Sequence, residues 1–312
     1  MTDPAPRVSV VLPTRNRVEF LPRSLGSVLN QTQRSLECIV VDDASTDGTM
    51  DWLATVRDPR VRVVRTEEPI GAAAARNRAI GLAAGRFVAF QDSDDEWLPD
   101  KLERQLALFV SAAPPAVVYC GLWIDRAGQR DRAFVELRDD PFTRLLGYAG
   151  PVTTPALVID RDAVGEDLYF DDRLPAMQEY DLLLRLTRSH TIDCVEDPLY
   201  VWYQHQGPRV SDVANQMHAR RVILEKYADD LAARPAIAAH HWWRLAAAQR
   251  ALGDDAGARE SVSRAAQLRR RQPRFRALQA VGRLGLRPFD WAWRAQEHLE
   301  RWRPSRRARR RG

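Results

Sequence analysis

Four short apolar runs rich in β-branched residues recur within residues 8–90, and segments with helical spacing separate them. Val8-Ser9-Val10-Val11-Leu12 reads as a buried strand halted by Pro13. Phe20, Leu21, Leu25, Val28 and Leu29 then repeat at helical intervals. Cys38-Ile39-Val40-Val41 is a second strand ending in Asp42-Asp43, and Ser45 is placed to cap a helix running to about Val56. Val61-Arg62-Val63-Val64 is the third strand. An Ala-rich helix follows Gly71 and runs to Ala84, with Gly85 as its expected C-cap. Phe87-Val88-Ala89-Phe90 is the fourth strand and opens into Asp92-Ser93-Asp94-Asp95. Such alternation dictates an α/β fold with a mainly parallel sheet flanked by helices on both faces. Ligands in these sheets bind beyond the carboxyl ends of the strands. Thr14-Arg15-Asn16, Asp42-Asp43 and the acidic loop all sit there.

Past residue 98 the pattern changes. A helix over Pro99 to Val110 precedes a strand at Val117 to Cys120, a hairpin turn at Ala127-Gly128 and a strand at Ala156 to Ile159. A further helix begins near Glu179 and turns Leu182, Leu183 and Leu186 inward. From about Asp212 only helical spacing remains, interrupted at Pro235, Gly253, Pro273 and Pro288. Within it, Trp242 to Pro273 weakly resembles a single tetratricopeptide unit, which cannot bury its own face alone. A chain of 312 residues accommodates a large domain with a smaller appendage. Cys38, Cys120 and Cys194 lie far apart in apolar segments, which favours buried thiols over a disulfide framework or a zinc site. No apolar run reaches the roughly 18 residues that span a bilayer. Met1 to Arg7 lacks a charged-then-apolar leader, so a cytoplasmic chain is expected.

Charge is distributed unevenly. Residues 269–312 hold 15 Arg against three acids, a net of +12, so the rest of a +5 chain carries −7. Two readings of this tail stand. Leu284, Leu286, Phe289, Trp291, Trp293, Leu299 and Trp302 among arginines suit peripheral contact with an anionic membrane. Equally, the tryptophans serve a helical cap, and Arg306 to Arg311 form a solubilising end. No nucleic-acid reading motif accompanies the charge, so no specific nucleic acid is expected as a partner.

The acidic loop carries the strongest chemical signal. Asp92, Asp94 and Asp95 crowd three carboxylates at one strand end, which costs energy unless a positive group neutralises them. Hard oxygen donors suit Mg²⁺ or Mn²⁺ bridging to substrate phosphates. A solvated turn with an aspartate capping the next helix is the plainer alternative. Asp42 and Asp43 are placed to accept hydrogen bonds from a base or a ribose. For Asp42 a helix-capping turn is the competing role. Neither G-x-G-x-x-G after the first strand nor G-x-x-x-x-G-K-[ST] anywhere is present, which disfavours dinucleotide and P-loop readings.

Taken in order, Val8 to Asn16, Val41 to Thr49, Gly71 through Arg76-Asn77, and Asp92 to Asp95 together resemble glycosyltransferase family 2 over roughly residues 7–211. The resemblance implies a GT-A-type, Rossmann-like fold and an inverting transferase using a nucleoside-diphosphate sugar, UDP-sugars being favoured. It divides the chain into a GT-A domain over 1–211 and an all-helical extension with a basic tail over 212–312. Within the domain, about 1–98 is the nucleotide-binding half and about 99–211 the acceptor half. By resemblance, Pro13, Thr14, Arg15 and Asp43 line the nucleoside pocket. Asp92 and Asp94 form the D-x-D element, Asp94 being the principal metal ligand and Asp92 a ribose or metal partner.

Inversion requires a carboxylate to take the acceptor's proton. Similar enzymes carry a Glu-Asp pair at the start of a helix, and here Gln178-Glu179 occupies that place. Glu179 is therefore the expected base, with an acid serving only the helix dipole as the alternative. Asp181 is placed to pair with Arg185 instead. His205, in a Tyr-x-x-His-like segment, is a candidate metal or diphosphate contact and otherwise a structural histidine. Arg76 and Arg209 are phosphate-clamp candidates, with surface salt bridges as their alternative. The expected function is inverting sugar transfer to a glycan or lipid-linked acceptor in cell-surface polysaccharide or glycolipid synthesis. Its rival is a degenerate, non-catalytic scaffold that binds sugar nucleotides or glycans.

Overall fold

The computed structural model describes residues 6–147, 150, 152–204 and 212–268. The chain divides into two compact units, Met1–Val210 and Ser211–Gly312. The basic tail, His205 and Arg209 lie outside the described residues.

The first unit is built on a nine-stranded sheet. Its parallel part comprises β1 (Val8–Thr14), β2 (Leu36–Asp42), β3 (Val61–Arg65) and β4 (Phe87–Phe90), in the order β3-β2-β1-β4. Helices α1 (Leu21–Leu29), α2 (Thr49–Leu53) and α3 (Ala72–Leu82) make the crossovers. Every residue of β1 and β4 is buried, as a parallel strand covered on both faces requires. β3, at the sheet edge, is largely exposed.

Beyond β4 the sheet turns partly antiparallel. The next elements are β5 (Glu96–Trp97), α4 (Lys101–Leu108), β6 (Val117–Arg126), β7 (Gln129–Ala133), α5 (Pro141–Leu146), β8 (Val158–Asp160), α6 (Arg161–Val164), α7 (Gln178–Leu186) and β9 (Ile192–Tyr203). The order continues β4-β8-β6-β9-β5, with β7 hydrogen-bonded to β6. Ala127 and Gly128 turn the β6–β7 hairpin with φ of 54° and 92°, the paired positive values of a tight two-residue hairpin. β9 runs parallel to β6, and its register shifts around Gly121. A Cβ there would lie 2.6 Å from the Glu196 carbonyl oxygen, so only glycine permits the irregularity.

Three local expectations are corrected. Pro13 does not halt β1, which runs on to Thr14. Its missing N–H falls where β4 has already ended, the last rung being the Gln91 amide on the Val11 carbonyl at 2.9 Å. Ser45 caps no helix, and α2 is five residues long without a side-chain cap. Instead its Oγ accepts the Asn16 amide at 2.9 Å, tying together the loops after β1 and β2. Gly85 is not a C-cap, because α3 ends at Leu82 and Ala83 is extended. A Cβ at Gly85 would sit 2.7 Å from the Ser9 nitrogen, so this glycine admits close backbone approach to β1. β5 and β9 carry no alternating polar pattern and went unpredicted.

The second unit, where described, is helical: α8 (Val213–Lys226), α9 (Ala228–Ala232), α10 (Pro235–Ala251) and α11 (Asp255–Leu268). Ala239, Trp243 and Ala246 of α10 pack on Val262 and Ala265 of α11. Gly253, at φ 80°, turns the chain between them. Asp254 accepts the Gly257 amide at 2.9 Å at the start of α11.

Candidate active site

The acidic loop leaves β4 as soon as its ladder to β1 ends, and side chains of α1 grip its backbone. Ser24 Oγ donates to the Asp92 carbonyl at 2.8 Å, and Arg23 Nη2 donates to the Asp94 carbonyl at 2.6 Å. From inside, Gln91 Nε2 donates to the Asp95 carbonyl at 3.0 Å. The loop is thereby fixed while its carboxylates remain in three different settings.

Asp95 is buried, and its Oδ1 accepts the Tyr203 amide at 3.2 Å, fastening the end of β9. Burial first, then the charges of Asp94 and Asp92, push its carboxyl well above the usual range. Asp92 is half-buried and receives Arg76 Nη2 at 2.6 Å. Burial raises its carboxyl, Arg76 opposes this, and Asp94 adds to it. Asp94 keeps 24% of its side chain exposed, with Arg17 Nε at 3.6 Å. Among the described residues no three His, Cys, Asp or Glu side chains converge as a ready metal cage. The donors instead fit a hard divalent cation held by one or two carboxylates and completed by phosphate oxygens.

At the ends of β1 and β2 the two loops are bound to each other. Thr46 donates its amide to Asn16 Oδ1 at 2.8 Å, and Arg17 donates its amide to Thr49 Oγ1 at 3.0 Å. Asn16 adopts a φ of 53° to make these bonds. Pro13 and Thr14 are buried and Arg15 is exposed. Asp43 is turned inward: Oδ1 accepts the Ile70 amide at 2.7 Å and Thr66 Oγ1 at 3.3 Å, and Oδ2 accepts the Gly71 amide at 3.0 Å. Asp42 is fully buried, with Arg65 Nε at 3.6 Å from Oδ2. Thr14 and Asp42 are register partners, and Thr14 Oγ1 and Asp42 Oδ1 are both buried without a hydrogen-bond partner. Those two atoms are the polar groups that a bound nucleoside could satisfy.

Helix α7 reaches the acidic loop through one side chain. Arg76, on α3, is only 6% exposed, so the surface salt-bridge alternative is excluded for it. Nη2 binds Asp92, and Nη1 donates to Gln178 Oε1 at 2.6 Å. Glu179 is half-buried beside this bridge, within electrostatic reach of Arg76 and Asp92. Desolvation raises its carboxyl, and the Arg76 charge opposes the rise. Residues more than 80 positions apart in sequence, Asp92 and Glu179, thus share one electrostatic neighbourhood. Asp181 is fully buried and pairs with Arg185 Nε at 3.1 Å.

Several supporting residues were assigned no role from sequence. Asn77 Oδ1 accepts the Phe170 amide at 2.7 Å while its Nδ2 donates to the Phe170 carbonyl at 2.8 Å. The Arg23 guanidinium lies 3.7 Å from the Tyr203 ring centre, and Tyr203 donates its hydroxyl to Glu96 at 2.6 Å. Only the proximity of Asn77 to Arg76 in the quoted motif hinted at the first of these. Nothing in the spacing pointed to the second.

A parallel α/β core that becomes antiparallel after its fourth strand, with an acidic loop at that junction, defines the GT-A class. Residues 9–151 match the model for glycosyl transferase family 2, and this chain belongs to that family. TuaG of Bacillus subtilis (strain 168), named as a teichuronic acid biosynthesis glycosyltransferase, is 50% identical over 108 residues, 34% of this chain and 43% of TuaG. WfgD of Escherichia coli, named UDP-Glc:alpha-D-GlcNAc-diphosphoundecaprenol beta-1,3-glucosyltransferase, is 41% identical over 103 residues, 33% of this chain and 41% of WfgD. The chain thus spans less than half the length of each of these two relatives. The crystal structure of S. aureus TarS 1-349 in complex with UDP-GlcNAc superposes with a TM-score of 0.63. It is 20% identical, and the match covers 84% of this chain and 81% of that one.

Proposed function

We propose that this chain is an inverting, metal-dependent glycosyltransferase that moves a sugar from a nucleoside diphosphate to an acceptor hydroxyl in cell-surface polysaccharide or glycolipid synthesis. The observation that carries the reading is Arg76, bonded at 2.6 Å to both Asp92 and Gln178, which ties the start of α7, with its candidate base Glu179, to the acidic loop.

In the proposed step the acceptor oxygen forms a bond to the anomeric carbon. The bond from that carbon to the diphosphate oxygen breaks, and its electron pair leaves on the diphosphate. Glu179 takes the acceptor's proton. Its raised pKa makes it a stronger base than an exposed carboxylate, and it remains ionised above that pKa. Asp94, assisted by Asp92, would hold Mn²⁺ or Mg²⁺. When bound, such a cation stabilises the charge that develops on the leaving diphosphate. Thr14 and Asp42 offer their unpartnered buried oxygens to the nucleoside. Asp43 would act chiefly by fixing the loop before α3 that borders this pocket.

The names of WfgD and of the TarS complex support a UDP-sugar donor, and that of WfgD supports a lipid-diphosphate acceptor. A peripheral position at the inner face of the cell membrane, through the basic tail, would suit such an acceptor. Among the described residues no helix is long and apolar enough to cross a membrane. Purified protein incubated with a panel of nucleoside-diphosphate sugars, Mn²⁺ and a lipid-diphosphate acceptor should release nucleoside diphosphate, and chelation should stop it. Absence of release with every donor would hand the case to the non-catalytic scaffold.

A further inference from the structure

We infer that Arg76 and Gln178 form a buried strut that sets the position of Glu179 relative to Asp92, with Arg76 acting as a positioning residue. The functional part of this inference rests on the glycosyltransferase reading. Both guanidinium Nη atoms are already engaged, one by Gln178 Oε1 and one by Asp92 Oδ1, each at 2.6 Å. Nε is buried without a hydrogen-bond partner, and the guanidinium lies 5.4 Å from the Phe170 ring centre.

Helix α7 needs such support. Its N-cap residue, Met177, has φ 59° and ψ 29°, a left-handed conformation that a side-chain-bearing residue seldom adopts, and it provides no side-chain cap. The first helical residue anchors the start instead. Gln178 Nε2 donates to the Leu174 carbonyl at 2.9 Å while Oε1 receives Arg76. An amide can donate and accept at once, whereas an ionised carboxylate only accepts. That difference gives a physical reason for glutamine where similar enzymes carry glutamate. The neighbouring Asn77 holds Phe170 by two bonds, so one dipeptide of α3 fixes both the acidic loop and the approach to α7. A lysine at position 76 would supply the charge without the planar fork that spans two acceptors.

The test uses the full-length protein and the variants Arg76→Lys and Gln178→Leu. The second leaves every charge in place and serves if the first fails to fold. Hydrogen exchange of the backbone amides over residues 177–182, kcat for sugar transfer, and UDP affinity with Mn²⁺ present are read together. The strut predicts faster exchange confined to that turn and a kcat lower by about 10- to 100-fold, as expected for a misplaced reacting group. UDP affinity should stay within about two-fold, a shift worth under one factor of ten. Unchanged exchange in both variants overturns the strut. So does an Arg76→Lys protein whose kcat holds while UDP affinity collapses, since that is how a phosphate clamp behaves. If wild-type protein turns over no donor, the sugar-transfer reading fails, and the exchange arm still decides the strut.

Discussion

Two strands of one sheet, β2 and β4, end in clustered aspartates, yet the two ends meet different partners. After β2, Asp43 is saturated by the amides of Ile70 and Gly71 and by Thr66, while Asp42 faces Arg65. After β4, the carboxylates face one another, and those of Asp92 and Asp95 are raised by burial and by their acidic neighbours. Backbone N–H groups neutralise the first end and hold it rigid. At the second, Arg76 pairs with Asp92 and Arg17 with Asp94, yet the Asp92 and Asp95 carboxyls stay raised, a setting that suits a cation. The same residue type is a structural tie in one loop and a candidate ligand in the other.

This contrast can be broken most severely at its catalytic extreme. Glu179→Gln should lower kcat by about 10³-fold, the middle of the range for loss of a general base. In wild-type protein the acid limb of kcat should lie above the roughly 4.3 of an ordinary glutamate, because activity needs the ionised form and burial raises the pKa. A pH–rate profile checks both, and a limb that persists in Glu179→Gln protein would assign it to another group. Next in size, Asp94→Ala should cost about 10²-fold or more in turnover and abolish the response to Mn²⁺, with thermal unfolding barely altered. At the β2 end the order reverses. Asp43→Ala leaves two amides without their acceptor, so it should destabilise the fold by about 1–3 kcal/mol, measured by denaturant unfolding.

The smallest effect sharpens the contrast by its sign. The folded-state pKa of Asp95 lies above its unfolded value, so its contribution to stability is present at low pH and is lost as pH rises through the raised value. Asp95→Asn can keep the Tyr203 bond through its own carbonyl oxygen and removes that loss. With divalent cations chelated, Tm should rise by about 2 °C at neutral pH and by nothing near pH 3. A carboxylate whose charged form is favoured by its surroundings would give the opposite sign.

Much of the parallel core was legible because buried parallel strands write continuous apolar runs, as Val8–Leu12 and Phe87–Phe90 do. The acidic loop was equally legible, since three carboxylates in four residues have few physical explanations. What stayed hidden depends on contacts distant in sequence. Ser45 has the chemistry of a cap, but Asn16, 29 positions away, claims its hydroxyl. Gly85 looks like a helix stop, but its need is set by the backbone of β1. Gln178 read as a departure from a motif until Arg76 and Leu174 showed why an amide suits it. β9, the longest strand, mixes Asp193, Glu196 and Asp197 with apolar residues, so it has neither a clean alternation nor a continuous apolar run.

The claim that the loop after β4, and not the aspartates after β2, takes the cation is tested most directly by Mn²⁺ binding. Electron paramagnetic resonance titration with UDP present should count one Mn²⁺ bound per chain. Binding should be lost in Asp94→Ala protein and kept in Asp95→Asn. Equal Mn²⁺ binding by Asp94→Ala and wild-type protein would contradict the account.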